Sequence, residues 1–135
     1  KTMEIVLKQK SSNATLLKID LGEDGVATPS DLSTLVFPPV EGHKGLIVSG
    51  FPQYAVMAVG CHYKNNCKWI AVFDPKINPK SPSVVVVWSL DSDYRNGDVI
   101  PLGKLRFKFP CLNCGKLTRG KLGYCPNCRP NYRYR

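Results

Sequence analysis

Residues 44–73, KGLIVSGFPQYAVMAVGCHYKNNCKWIAVF, decide the fold. Lys44–Ser49 is an apolar run of strand length, closed by the turn Ser49-Gly50-Phe51-Pro52. Gln53–Tyr63 then has the length and alanine content of a helix, although Gly60 weakens it by about 1 kcal/mol. Tyr54, Met57, Ala58 and Cys61 share one helical face, and Val56, Val59 and Tyr63 share another, which predicts a helix buried on most sides. Trp69–Phe73 (WIAVF) is unbroken apolar sequence, as in a strand covered on both faces. Strand, helix and strand in this order make one βαβ unit with a right-handed crossover.

Working outward, Glu4–Leu7 and Thr15–Leu21 read as two strands joined by the polar Ser11-Ser12-Asn13 turn. Thr28 and Pro29 are a helix cap and first residue, so a short helix is expected there. On the other side, Val84–Trp88 (VVVVW) is a second interior strand, reached through a loop at Ile77–Ser83 that holds two prolines. Asn96-Gly97 turns the chain into a short strand near Asp98–Leu102. The expected fold class is α+β: a small mixed sheet with one main buried helix, a ferredoxin-like sandwich, over residues 1–105. A basic zinc ribbon and tail are expected over 106–135.

The chain's 135 residues have room for one compact domain and a small appendage. Hydrophobic residues at 43% and charged residues at 21% are ordinary for a folded protein and exclude wholesale disorder. No run of 18 apolar residues is present, so no membrane partner is expected. No signal-peptide pattern opens the sequence, so the expected location is cytoplasmic. Charge is distributed unevenly. Residues 1–100 hold ten Lys/Arg and ten Asp/Glu, whereas residues 101–135 hold nine Lys/Arg and no acid. The whole net charge of +9 therefore sits in the last segment, which predicts an anionic partner there.

That segment carries Cys111-Leu-Asn-Cys114 and Cys125-Pro-Asn-Cys128. Two such turns can each offer two thiolates to one tetrahedral zinc ion, about 2.3 Å away. Two disulfides, an iron site and a redox pair are the alternatives; an unsecreted chain disfavours disulfides. Structural zinc on Cys111, Cys114, Cys125 and Cys128 is the expectation. Lys116, Arg119, Lys121, Arg129 and Arg133 surround these cysteines, with Tyr124 among them. Cations that meet phosphates beside rings that stack on bases are the chemistry of a nucleic-acid surface. Of the remaining cysteines, Cys61 is expected to be a buried small hydrophobe, and the lysines around Cys67 are expected to lower its thiol pKa.

In the body, Ser49-Gly50 precedes a helix start, where backbone N–H groups can hold an anion. Asp74, in Phe73-Asp74-Pro75-Lys76, follows an interior strand, a position suited either to a ligand or to a plain Asx turn before proline. His62 ends the helix and is either a functional imidazole or a histidine that caps the helix dipole.

Taken in order, strand-Ser49-Gly50, His62, Val72-Phe73-Asp74-Pro75-Lys76, the valine run and Arg95-x-Gly97-Asp98-Val99-Ile100 resemble the small CRISPR-associated ring nucleases of the Csx-three type. The resemblance covers about residues 44–102. It implies a dimerising α+β protein that binds cyclic tetra-adenylate, a second messenger of type III antiviral defence. Such proteins cleave it with manganese support, in a site shared between stacked protomers, and act on adenylate-rich RNA ends. It places Ser49 and Gly50 in ligand binding, and His62, Asp74 and Lys76 in catalysis. The motif departs from the family where Phe51 and Lys76 replace arginines and Asn65 replaces a histidine. The alternative function is a catalytically inactive, RNA-binding zinc-ribbon subunit of an RNA–protein complex.

Overall fold

The computed structural model describes residues 3–78, 80–107, 109–110, 114–118 and 127–128. The βαβ unit read from residues 44–73 is present: strand β3 (Gly45–Ser49), helix α1 (Gln53–Tyr63) and strand β4 (Trp69–Phe73). Strands β1 (Glu4–Lys10) and β2 (Ala14–Asp20) precede it, and β5 (Ser83–Ser89) and β6 (Val99–Pro101) follow. All six lie in one sheet, in the order in which the chain makes them. β2, β3 and β4 are mutually parallel, whereas β1, β5 and β6 each run antiparallel to their neighbour. The result is a mixed α+β sandwich with one main helix, consistent at the level of its layers with the ferredoxin-like expectation.

Both parallel connections cross the same face of the sheet. Ala55, Val59 and Tyr63, spaced four residues apart, point α1 into a core with Leu17, Ile19, Leu46, Val48 and Ile70. The β2–β3 connection adds Leu32, Leu35 and Phe37 to that core. The short helix expected at Thr28-Pro29 is a single 3-10 stretch, Pro29–Thr34. The Thr28 N–H donates to the Asp31 carboxylate at 3.0 Å, which satisfies the helix start.

The opposite face is covered by the chain after β6. A 3-10 turn at Leu102–Leu105 and the residue Phe107 pack on Ile47, Trp69, Ala71, Val84 and Val86. Trp69 is 1% exposed and stacks on Tyr94, with ring centroids 4.5 Å apart. Its indole fills the space beside Gly45, where a Cβ would lie 1.9 Å from Cε2. Beyond Phe107, strands β7 (Phe109–Pro110) and β8 (Leu117–Thr118) pair as a small antiparallel hairpin.

Two expectations about α1 are corrected. The helix is buried along one face, not most of its surface: Met57 is 69% exposed and Cys61 is exposed. A connection that lies on one side of a sheet leaves its outer side to solvent, and alanine and methionine tolerate that position. Cys67 is the buried cysteine. Burial pushes its thiol up to about 11 and outweighs any effect of the nearby lysines.

Candidate functional site

The parallel strands β2, β3 and β4 end at one edge of the sheet, where open α/β sheets bind their ligands. Ser49 ends β3, and its cross-strand neighbour is the exposed Lys18 of β2. The Ser49 side chain makes no hydrogen bond among the described residues, so its hydroxyl is available. Gly50 follows with φ +117, and a Cβ there would lie 3.0 Å from the carbonyl oxygen of Ile19. The glycine is thus required first by the close approach of β2, whatever ligand comes near.

Phe51 is 68% exposed, and Pro52 then caps α1. The Pro52 carbonyl accepts from the N–H groups of Ala55 and Val56 at 3.1 and 3.2 Å. The earlier donors, Gln53 and Tyr54, have no side-chain cap, because proline carries no oxygen to offer them. This unsatisfied helix start opens onto the same edge. The sequence signal for it was the proline at a position where serine or aspartate is usual.

Asp74 follows the last residue of β4 on this edge as well. Its Oδ1 accepts from the N–H of Lys76 at 2.9 Å, and the Asp74 N–H donates to the Ser83 carbonyl at 3.3 Å. This is the Asx turn before proline, and it leaves the exposed Lys76 ammonium free to reach a ligand. Asp20, two strands over at the end of β2, is tied in the same way to the N–H of Gly22 at 2.9 Å.

His62 does not join this group. α1 leaves the edge at its N-terminus and runs back along the sheet, so its last turn reaches the opposite end. Five residues of β4 put about 16 Å of strand between the two ends. At the far end the His62 imidazole stacks on Phe37, with centroids 3.8 Å apart and planes within 10°. Its neighbour Tyr63 donates its hydroxyl to the Pro38 carbonyl and meets Phe37 edge-on. Burial raises the Tyr63 phenol to about 12. These rings clamp the β2–β3 connection onto the end of the helix. Lys44, salt-bridged to Glu41 at 2.6 Å, lies at this end too.

The expected metal sites are overturned. Among the described residues, no three His, Cys, Asp or Glu side chains gather where they could share an ion. Zinc needs four ligands converging on one point. Of the four expected thiolates, only Cys114, which is exposed, and Cys128, which is half-buried, fall among the described residues; Cys111 and Cys125 lie outside them. The expected manganese has no such group of ligands around Asp74 either, and within one chain His62 lies at the other end of β4. Of the cationic and aromatic set on the basic end, Lys116 is described and exposed, while Arg119, Lys121, Tyr124, Arg129 and Arg133 lie outside the described residues. A feature that the sequence reading did not reach is a hollow of about 300 Å³ on the second face, lined by Asp93, Tyr94, Asp98, Ile100, Lys104 and Leu105. Burial and the charges of Asp91 and Asp93 raise the Tyr94 phenol. No helix among the described residues is long and apolar enough to cross a membrane.

These features define an α+β domain with an open strand edge that offers a free hydroxyl, unsatisfied N–H groups and a lysine. A family model described as CRISPR-associated protein (Cas_csx3) matches residues 21–101, more than half of the chain. The chain therefore belongs to the Cas_csx3 family of CRISPR-associated proteins. The match takes in the 3-10 stretch, β3, α1, β4, β5 and β6, and ends before the basic segment. No curated protein matches the chain.

Proposed function

We propose that the protein binds a cyclic oligoadenylate at the carboxyl ends of β3 and β4, as a ring-nuclease relative in type III antiviral defence. The observation that carries this reading is the family match over residues 21–101, which spans β3, α1 and β4. In this reading Ser49 donates its hydroxyl to a phosphate oxygen, and the N–H groups of Gln53 and Tyr54 donate beside it. Lys76 supplies the positive charge, as a point cation and not the two-pronged donor that an arginine would be. Asp74 holds the turn that presents Lys76. Turnover asks for a second copy: stacked protomers bring His62 of one against Asp74 and Lys76 of another, because no single chain holds all three at one end.

The test is calorimetry with cyclic tetra-adenylate, followed by chromatography of the products. Binding by the wild type that weakens several-fold in Lys76→Ala supports the reading. A folded wild type that takes up no ligand refutes it. For turnover, an equal mixture of His62→Ala and Asp74→Ala should recover roughly a quarter of wild-type cleavage, since random pairing of copies leaves that share of shared sites intact. Two inactive variants that stay inactive when mixed would place the whole reaction within one chain.

A second reading rests on charge. Residues 101–135 carry nine Lys/Arg and no acid. On this reading Lys116, Arg119, Lys121, Tyr124, Arg129 and Arg133 bind RNA or an RNA–protein complex. RNA affinity that falls steeply with salt supports it, and affinity indifferent to salt does not.

A further inference from the structure

We infer that Phe51 is a stacking platform for a nucleobase. The inference rests on the proposed function and adds the part of the ligand that the polar groups of the edge leave unread. A single exposed apolar side chain is ordinary on a protein surface, so exposure alone says little. Phe51 differs in how it is held. On one side, the Gly50 backbone is pressed against Ile19 of β2, a strand paired on both flanks. On the other, Pro52 is held as the N-cap of α1, its carbonyl engaged by two N–H groups. The ring itself belongs to neither core and is 68% exposed. It is therefore an aromatic surface on a fixed mount, with nothing of the chain's own to stack on among the described residues.

The surroundings point to one kind of ligand. Ile77, 44% exposed on the β4–β5 loop, adds a second apolar surface at the same edge. The cations Lys18 and Lys76 and the Ser49 hydroxyl lie at the same edge, whereas the carboxylates of Asp20 and Asp74 are tied to their own turns. An apolar plate beside anion-binding donors matches a flat base joined to a phosphate. Base–aromatic stacking needs only a ring held in place, and a fixed mount spares the entropy of ordering it on binding.

The experiment measures the affinity of cyclic tetra-adenylate for the wild type, Phe51→Leu and Phe51→Trp, with sedimentation of each free protein. Phe51→Leu keeps the apolar bulk and removes the π face. It should bind roughly 5- to 150-fold more weakly, the range that stacking on one base represents. Phe51→Trp should hold or improve affinity, with its indole emission changed by the ligand beyond any change in the wild type. Melting temperatures should move little, because the ring is mostly exposed and belongs to neither core. If Phe51→Leu binds within twofold of a binding wild type, the inference is wrong and the proposed function stands. If no form binds, both fall. If Phe51→Leu lowers the mass of the free protein, Phe51 is a contact between copies and the inference is overturned.

Discussion

Replacing Gly50 with alanine separates two reasons for a glycine at the strand edge. If the residue serves only a ligand, the free protein should not notice the change. The geometry says otherwise. A φ of +117 lies where side-chain-bearing residues rarely go, at about 1–3 kcal/mol. The new Cβ would also lie 3.0 Å from the Ile19 oxygen, 3.1 Å from its Cβ and 3.2 Å from its nitrogen. β2 is paired on both flanks and has little freedom to retreat. Strain and crowding together come to about 2–4 kcal/mol, a large part of the ~5–15 kcal/mol that holds a domain folded. At about 4 °C per kcal/mol for a chain of this size, Tm should fall by about 8–16 °C. The assay is urea unfolding without ligand, followed by circular dichroism, with an unchanged m value showing that the loss lies in the native state. Gly60→Ala is the internal control. Its Cβ meets nothing within 4 Å, so it should stabilise the helix by about 0.5–1 kcal/mol. A Gly50→Ala protein within about 0.5 kcal/mol of wild type would refute the packing argument and return the glycine to the ligand.

Gly45→Ala should be worse, because its Cβ overlaps the buried Trp69 indole; expect a loss of about 3 kcal/mol or more, or failure to fold, seen as reduced soluble yield and Tm. Thr15→Val should stabilise by about 1 kcal/mol in the same urea assay, since the buried Thr15 hydroxyl has no hydrogen-bond partner among the described residues. With iodoacetamide at pH 8, peptide mapping should find Cys61 alkylated early and Cys67 late, as Cys61 is exposed and Cys67 is buried. Alkaline stability should follow Cys67 and Tyr63, whose folded values of about 11 and 12 exceed the ordinary 9 and 10. The folded state holds these protons more tightly, so its stability is full below pH 9 and declines as pH rises towards 12. Tyr63→Phe should flatten the upper part of that decline in pH-dependent melts.

The central unit was legible because its residues speak locally. Gln53–Tyr63 is the helix that composition and length predict, and WIAVF is β4 to the residue. What the sequence concealed depends on partners far along the chain. Cys61 looked apolar enough to bury, yet it lies on the exposed side of α1. Cys67 looked polar by its neighbours, yet the turn folds it under Tyr63, whose carbonyl accepts from its thiol at 3.3 Å. His62 and Asp74 lie twelve residues apart and read as a pair. The direction of α1 carries them to opposite ends of the sheet, a fact of topology that spacing does not encode. The paired C-x-x-C turns supply donors in sequence, but a metal site needs convergence in space, which the described residues do not show.

The order of strands along the sheet has a consequence for how such a chain changes over generations. Because each strand lies beside its predecessor, the two margins of the sheet belong to the two halves of the chain: the hairpin β1–β2 at one and β6 at the other. The family match stops at both, beginning just after β2 and ending with β6. New sequence can be added beyond either margin without rethreading the middle. Both margins are nonetheless tied to the middle where Leu17 and Ile19 of β2 and Leu102, Leu105 and Phe107 after β6 fill the two cores, so change there is held in check at those side chains.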